Sequence, residues 1–186
     1  MIRYKMYKIT CYIFGLWFML FGFCTAFAQD KPSIIPPVQT ENITNTGRMT
    51  GLPLPRFVSL KGGETNMRRG PSKTHAVIWT YKKAGLPVEI INEYDNWRKV
   101  RDMDGSEGWI HQMVISGRRS VVTLDGTHIV RSGAGEDFSA VAKISGGVIA
   151  KPEKCKKNWC LLEHSEFEGW LSKSVLYGVY DNEAFD

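Results

Sequence analysis

The sequence predicts an all-β protein made of two small barrels in tandem, and three observations carry that prediction. The chain repeats itself at a spacing of about sixty residues, a sign of duplicated architecture. Residues 66–72 (NMRRGPS), 85–101 (GLPVEIINEYDNWRKVR) and 107–115 (EGWIHQMVI) return as 129–135 (IVRSGAG), 146–162 (GGVIAKPEKCKKNWCLL) and 168–176 (EGWLSKSVL). Arg68 thereby falls on Arg131, Gly70 on Gly133, Asn96-Trp97 on Asn158-Trp159, Gly108-Trp109 on Gly169-Trp170 and Val114-Ile115 on Val175-Leu176. Within each copy, short runs rich in Val, Ile, Trp and Tyr alternate with Gly, Pro, Asn and Asp turns, and no long helical period is present. Each copy is also near the lower size limit for an independent core, so the two are expected to pack together.

Arg3, Lys5 and Lys8 precede an uncharged run over 9–29 that ends in Ala26-Phe27-Ala28. A basic start, an apolar middle and an A-x-A site predict a signal peptide over 1–28, cleaved after Ala28, and a periplasmic or secreted protein. The apolar run is long enough to span a bilayer, so an uncut leader would anchor the chain in the inner membrane. Phe23, where a lipoprotein signal wants a small residue, disfavours lipidation at Cys24. The formal charge of +5 falls to +2 once three leader cations are removed (5 − 3). Arg118-Arg119 and Lys154, Lys156 and Lys157 read as solvated loop and hairpin charges, and no basic stripe indicates a nucleic-acid partner.

Residues 29–56 are rich in Pro, Thr and Asn and read as an extended linker. Within them, Leu52-Pro53-Leu54-Pro55-Arg56 invites a second reading, a polyproline II segment that packs on the first barrel or the seam. The first barrel is expected over 57–117, the second over 118–180 and an acidic tail over 181–186; the short join at 117–120 predicts docked barrels. In the first copy strands are expected near 57–60, 67–69, 77–81, 87–94, 97–102 and 108–111. A helical turn over 112–114 then leads to a last short strand at Ile115, and the second copy repeats this from Val121 to Tyr180.

The hairpin is the best-specified piece. With Asp95-Asn96 as a two-residue turn, Tyr94 faces Trp97 and Glu93 faces Arg98. In the second copy Lys157-Asn158 turns, Lys156 faces Trp159 and Cys155 lies opposite Cys160. Such a non-hydrogen-bonded pair has Cα atoms about 4.5 Å apart, within the range of a disulfide. Export would leave Cys155 and Cys160 as the only thiols, which also points to a disulfide.

These residues carry a family resemblance. Asn66-Met67-Arg68 with Gly70-Pro71-Ser72, Asn96-Trp97 before Val100, and Gly108-Trp109 with Val114 resemble the bacterial SH3-like (SH3b) domains of exported proteins. The second copy keeps Arg131, Gly133, Trp159, Gly169 and Trp170 but has Ala134-Gly135 where the family has Pro-Ser, so its first loop is expected to be remodelled. The resemblance covers about residues 57–180, and 51–119 looks particularly like two-copy proteins of alphaproteobacteria. It implies SH3-like barrels that act as envelope binding or scaffolding modules, with peptidoglycan peptides as ligands in some relatives.

Catalytic chemistry has little footing. His75, His111, His128 and His164 accompany no G-x-S-x-G, H-E-x-x-H or cysteine with an evident base. A Cys155 or Cys160 nucleophile with His164 is the sharpest enzymatic reading, and the same three residues lack a fourth metal ligand; no catalytic residue, metal or cofactor is expected. Aromatic side chains are the better candidates. Tyr81, Tyr94 and Trp97, with Phe138 and Trp159 in the second copy, are expected to line ligand grooves, with Arg68 and Arg131 reading a carboxylate or pairing with an internal acid. Trp109 and Trp170 are expected in the cores. The function this predicts is non-catalytic binding of peptidoglycan or an envelope protein; the alternative is a scaffold whose barrels cover each other's grooves.

Overall fold

The computed structural model describes residues 45–185. The expected signal peptide, residues 29–44 of the linker, Cys11, Cys24 and the last tail residue lie outside the described residues.

The first copy contains β1 (Arg56–Leu60), β2 (Thr65–Arg68), β3 (Val77–Tyr81), β4 (Pro87–Tyr94), β5 (Trp97–Arg101) and β6 (Glu107–His111). A 3-10 turn (Gln112–Val114) and β7 (Ile115–Ser116) complete it. The second copy repeats the series as β8 (Val121–Thr123), β9 (Thr127–Arg131), β10 (Ala140–Ser145), β11 (Ile149–Lys156), β12 (Trp159–His164) and β13 (Phe167–Ser172). A 3-10 turn (Lys173–Val175) and β14 (Leu176–Tyr177) close the repeat. The sheet orders are β3-β2-β6-β5-β4-β1-β7 and β10-β9-β13-β12-β11-β8-β14, one topology twice. No helix among the described residues is long and apolar enough to cross a membrane.

Alternation along the strands builds the two cores. Leu60, Met67, Val88, Ile90, Val100 and Ile110 fill the first, and Val121, Val130, Leu162 and Leu171 the second, all at most 2% exposed. Neither sheet closes on itself. The last strand of each copy is two residues long, too short to meet β3 or β10, so the barrels are open shells rather than sealed ones.

Both hairpins have the register that a two-residue turn dictates: Tyr94 faces Trp97 and Glu93 faces Arg98, while Lys156 faces Trp159 and Cys155 faces Cys160. The first turn residues, Asp95 and Lys157, take φ of 47° and 48°. The carbonyl of the second, Asn96 or Asn158, accepts from the first amide of the 3-10 turn, Gln112 at 2.9 Å or Lys173 at 2.8 Å. That bond ties the hairpin tip to the 3-10 turn that follows the neighbouring strand.

Two terminal pieces fold back, the first by packing on the first barrel, one of the two readings of residues 52–56. Residues 45–55 form a docked strap and not a free linker. Leu54 N–H donates to Asn45 O at 2.6 Å, Gly47 N–H to Leu52 O at 2.8 Å, and the Leu54 side chain packs on the first core. The tail likewise folds back: Phe185 exchanges backbone bonds with Cys155 at 2.8 and 3.3 Å, and the buried Lys173 ammonium donates to Asp181 O at 2.9 Å and to Glu183 O at 2.5 Å.

The barrels are docked through an aromatic seam. Phe57 meets Tyr177 edge-on at 5.1 Å and Tyr180 at 4.7 Å between ring centres. Tyr177 Oη donates to Arg101 O at 2.9 Å, Tyr180 Oη to Glu89 Oε1 at 2.9 Å, and Ser120 Oγ to Gly85 O at 2.6 Å. Burial, followed by the carboxylates nearby, pushes both phenols far up, so they stay neutral donors at any physiological pH.

Candidate binding surfaces

The residues singled out in sequence are not gathered into one site. Tyr81 is 8% exposed in the first core, and its hydroxyl donates to Asp102 Oδ2 at 2.8 Å. Burial first, then that acceptor, drives its pKa up, which fits a structural donor and not a groove wall. Trp97 is also 8% exposed, its ring edge-on to His111 at 5.3 Å. Tyr94, 61% exposed, lies beside Trp109 along a cleft of about 600 Å³ whose other wall is the strap.

Trp109 and Trp170 are half-buried on the outer faces and not in the cores. Their inward neighbours are the glycines before them and Ile110 and Leu171 after them. A Cβ on Gly108 would stand 2.5 Å from Met67 Cγ, and one on Gly169 would stand 2.5 Å from Val130 Cγ1 and 2.8 Å from Arg131 O. The Gly-Trp pair therefore marks where a strand crosses too closely for any side chain. The period of two, anchored on Ile110 and Leu171, contained this information.

Among the described residues, Arg68 and Arg131 are not paired with an internal acid; each spends a guanidinium NH on a loop carbonyl. Arg68 donates to His75 O at 2.8 Å and Arg131 to Phe138 O at 2.9 Å, in each case clasping the loop between the second and third strands of its copy. The loops match further. Ser72 N–H donates to Gly70 O at 2.9 Å and Gly135 N–H to Gly133 O at 3.0 Å, while His75 and Phe138 lie over Gly70 and Gly133. Replacing Pro71-Ser72 by Ala134-Gly135 thus leaves the loop fold unchanged, because the clasp is made by the arginine and the backbone.

In the second barrel the expected residues come closer together. Trp159 and Arg131 line a cleft of about 190 Å³ with Ile129, Glu136, Leu171 and Val175. Ile129 is 47% exposed, and Phe138, 49% exposed, lies over Gly133 in the loop that Arg131 clasps. Cys155 and Cys160 form a disulfide with Cα atoms 4.1 Å apart. Their sulfurs are consumed, so the thiol–imidazole reading lacks its nucleophile, and His164 instead stacks on Phe167 at 5.0 Å.

Sequence reasoning missed the environment of Glu93. This carboxylate is 5% exposed and accepts from Met49 N–H and Thr50 N–H at 3.0 Å, Thr50 Oγ1 at 2.7 Å and the Arg56 guanidinium at 2.7 Å, with Arg98 Nε at 3.6 Å. Burial alone would raise its pKa, but the Arg56 and Thr50 bonds and the Met49 amide overcome that and hold it at about 2. The strap is thus fastened to the first hairpin through one buried anion.

Comparison with known proteins places this architecture. No curated protein matches the chain. Two solved structures, NlpC1 and NlpC2 from Trichomonas vaginalis, resemble 66% of it at 9% identity with TM-scores of 0.31, a likeness too slight to carry an argument. The chain spans under half of either, 45% and 48%. The bacterial SH3 domain family matches twice, at residues 61–117 and 125–178, which is the span of the two shells. The chain belongs to the bacterial SH3 domain family, with two copies in tandem.

Proposed function

We propose that this is an exported, non-catalytic binding protein that recognises peptidoglycan or an envelope protein, and that the second barrel makes the contact. Bacterial SH3 domains are generally binding modules. The observation that carries the reading is the cleft beside Trp159. It has an apolar floor of Leu171 and Val175, an exposed Ile129 wall, and charges of opposite sign in Arg131 and Glu136. A short peptide presenting an amine and a carboxylate, as a cell-wall stem peptide does, matches that arrangement. The first barrel offers no equivalent, because its Trp97 is buried under His111. The basic start, apolar middle and A-x-A site of residues 1–28 support export to the periplasm or beyond, with an uncut leader anchoring the chain in the inner membrane as the alternative.

Retention on purified sacculi tests this. Trp159→Ala is expected to lower retention at least about tenfold, the loss of one aromatic hot spot, with an unchanged melting curve. Retention unaffected by Trp159→Ala would refute the assignment. The aromatic seam supports a second reading, a scaffold held by Phe57, Tyr177 and Tyr180. It predicts no retention at all on sacculi for the unsubstituted protein.

A further inference from the structure

The open edge of the first barrel is chemically unlike its repeat. Among the described residues β3 pairs with β2 alone, and Val77, Ile78 and Trp79 are 44%, 40% and 55% exposed. A register shift at Met67/Arg68 interrupts the ladder here and frees these three consecutive side chains from the core. Around them, residues 66–88 contain Arg68, Arg69, Lys73, Lys82 and Lys83 and no Asp or Glu. Arg69, Lys73, Lys82 and Lys83 are exposed. Arg69 N–H donates to Ala76 O at 3.0 Å, which puts Arg69 beside the start of the strand; Lys73 lies in the loop before it, and Lys82-Lys83 follow it directly. Cations therefore stand at both ends of an apolar edge.

The matching residues 129–150 have Arg131 and Lys143 against Glu136 and Asp137, a net charge of 0 (2 − 2) where the first copy has +5 (5 − 0). Ala142 takes the place of Trp79 and Lys143 that of Thr80. A lysine in mid-edge is a common device for discouraging contact along a free strand. The second barrel has it and the first does not. The charge pattern eludes a scan for basic clusters because the five cations are spread along the sequence and meet only once the β2–β3 loop folds back.

We propose that this edge is a docking surface for an anionic lipid bilayer. Val77, Ile78 and Trp79 enter the interfacial layer, and Arg69, Lys73, Lys82 and Lys83 meet the headgroup phosphates. Tryptophan favours that layer because its ring is apolar with one polar N–H. Each cation near an anionic surface adds attraction, and the two kinds of contact together give stable peripheral binding where either alone is marginal. The free backbone edge of β3 remains hydrated among headgroups, which hydrocarbon would not allow. A nucleic acid would be matched by the cations but has no use for Val77 and Ile78, which cannot stack on bases. The surface shares no residue with the Trp159 cleft, so the proposal stands or falls apart from the ligand reading.

The test uses the Glu41–Asp186 unit, which is compact by itself and omits the apolar leader. Cosedimentation is measured with vesicles of an equimolar phosphatidylcholine and phosphatidylglycerol mixture and with phosphatidylcholine alone. Binding is expected only to the anionic vesicles and is expected to weaken in high salt. Lys82→Gln with Lys83→Gln should lower the partition coefficient about twenty-fivefold, at roughly fivefold per lysine. Trp79→Ser should lower it about tenfold, with the melting temperature as a check on folding. No binding to anionic vesicles, or binding that the lysine pair leaves unchanged, overturns the proposal. So does concentration-dependent self-association that Trp79→Ser abolishes, since the edge would then belong to a second copy of the chain.

Discussion

The hairpins β4–β5 and β11–β12 share a register, a turn geometry and a place in the repeat, yet different chemistry closes them. One step inward from the turn pair, the first has Glu93 opposite Arg98 and the second has Cys155 opposite Cys160. Both pairs are buried, at 4–5% exposure in the first barrel and at most 1% in the second. Their consequences differ. A disulfide leaves no charge behind, so the second hairpin needs only the backbone bonds of Phe185 at its flank. A buried carboxylate must have its lone pairs satisfied or it will not stay ionised. Arg98 alone does not suffice, because three of its guanidinium N–H groups go to Asp95 O, Trp97 O and Gln112 Oε1 and its Nε stands 3.6 Å from the carboxylate. The remaining donors come from Met49, Thr50 and Arg56, which gives the strap its docking site. The ionic pair is thus completed by side-chain and amide donors from its neighbouring segment, whereas the segment beside the covalent pair bonds only its backbone.

The largest break in this comparison should come from Glu93→Ala. It leaves Arg56 and the Met49 and Thr50 amides without their acceptor, at a cost of about 3 to 5 kcal/mol, read as a lower urea midpoint. The strap should become open to proteolysis within 45–55. Acid should act on the same group more mildly. Its folded pKa, at about 2, lies below the unfolded carboxylate value, so the stabilisation is complete above the unfolded value and is lost as pH falls towards 2. The loss is about 2 to 3 kcal/mol at most, and Glu93→Gln should remove that pH dependence.

Reduction of Cys155–Cys160 should cost about 2 kcal/mol on the loop-entropy account, since the closed ring is short. That loss should be independent of pH between 3 and 5, unlike the first hairpin's. The smallest effect is expected from the loop clasps. Arg68→Ala and Arg131→Ala should each cost about 1 kcal/mol, one charged hydrogen bond to a carbonyl. Equal effects at the two positions would agree with the matched loops; a much larger effect at either would show that the clasps are not equivalent.

The strand positions and both hairpin registers were legible because they depend on local signals: a two-residue turn, alternation, and a repeat that shows the pattern twice. The disulfide followed from the same register. What sequence reading missed depends on contacts made across the fold. Glu93 is bonded by residues 37 to 44 positions away, and no local pattern announces them. That Tyr81 enters the first core while Trp79 stays exposed follows from the irregular pairing at Met67/Arg68, where the period of two is broken. The side taken by Trp109 and Trp170 was readable in principle, from the glycine that must face the crossing strand, but the bulk of the ring argued for the interior. Arg68 and Arg131 each clasp a loop carbonyl, a contact invisible until the carbonyls of His75 and Phe138 come round to meet them.

Amide hydrogen exchange, resolved at both hairpins, tests most directly whether two chemistries close one fold. The account predicts that Glu93→Gln speeds exchange at Met49, Thr50 and the β4–β5 ladder while β11–β12 keeps its protection, and that reduction of the disulfide speeds exchange at β11–β12 and Phe185 while β4–β5 keeps its own. If either change loosens both hairpins alike, or leaves its own hairpin unmoved, the account is contradicted.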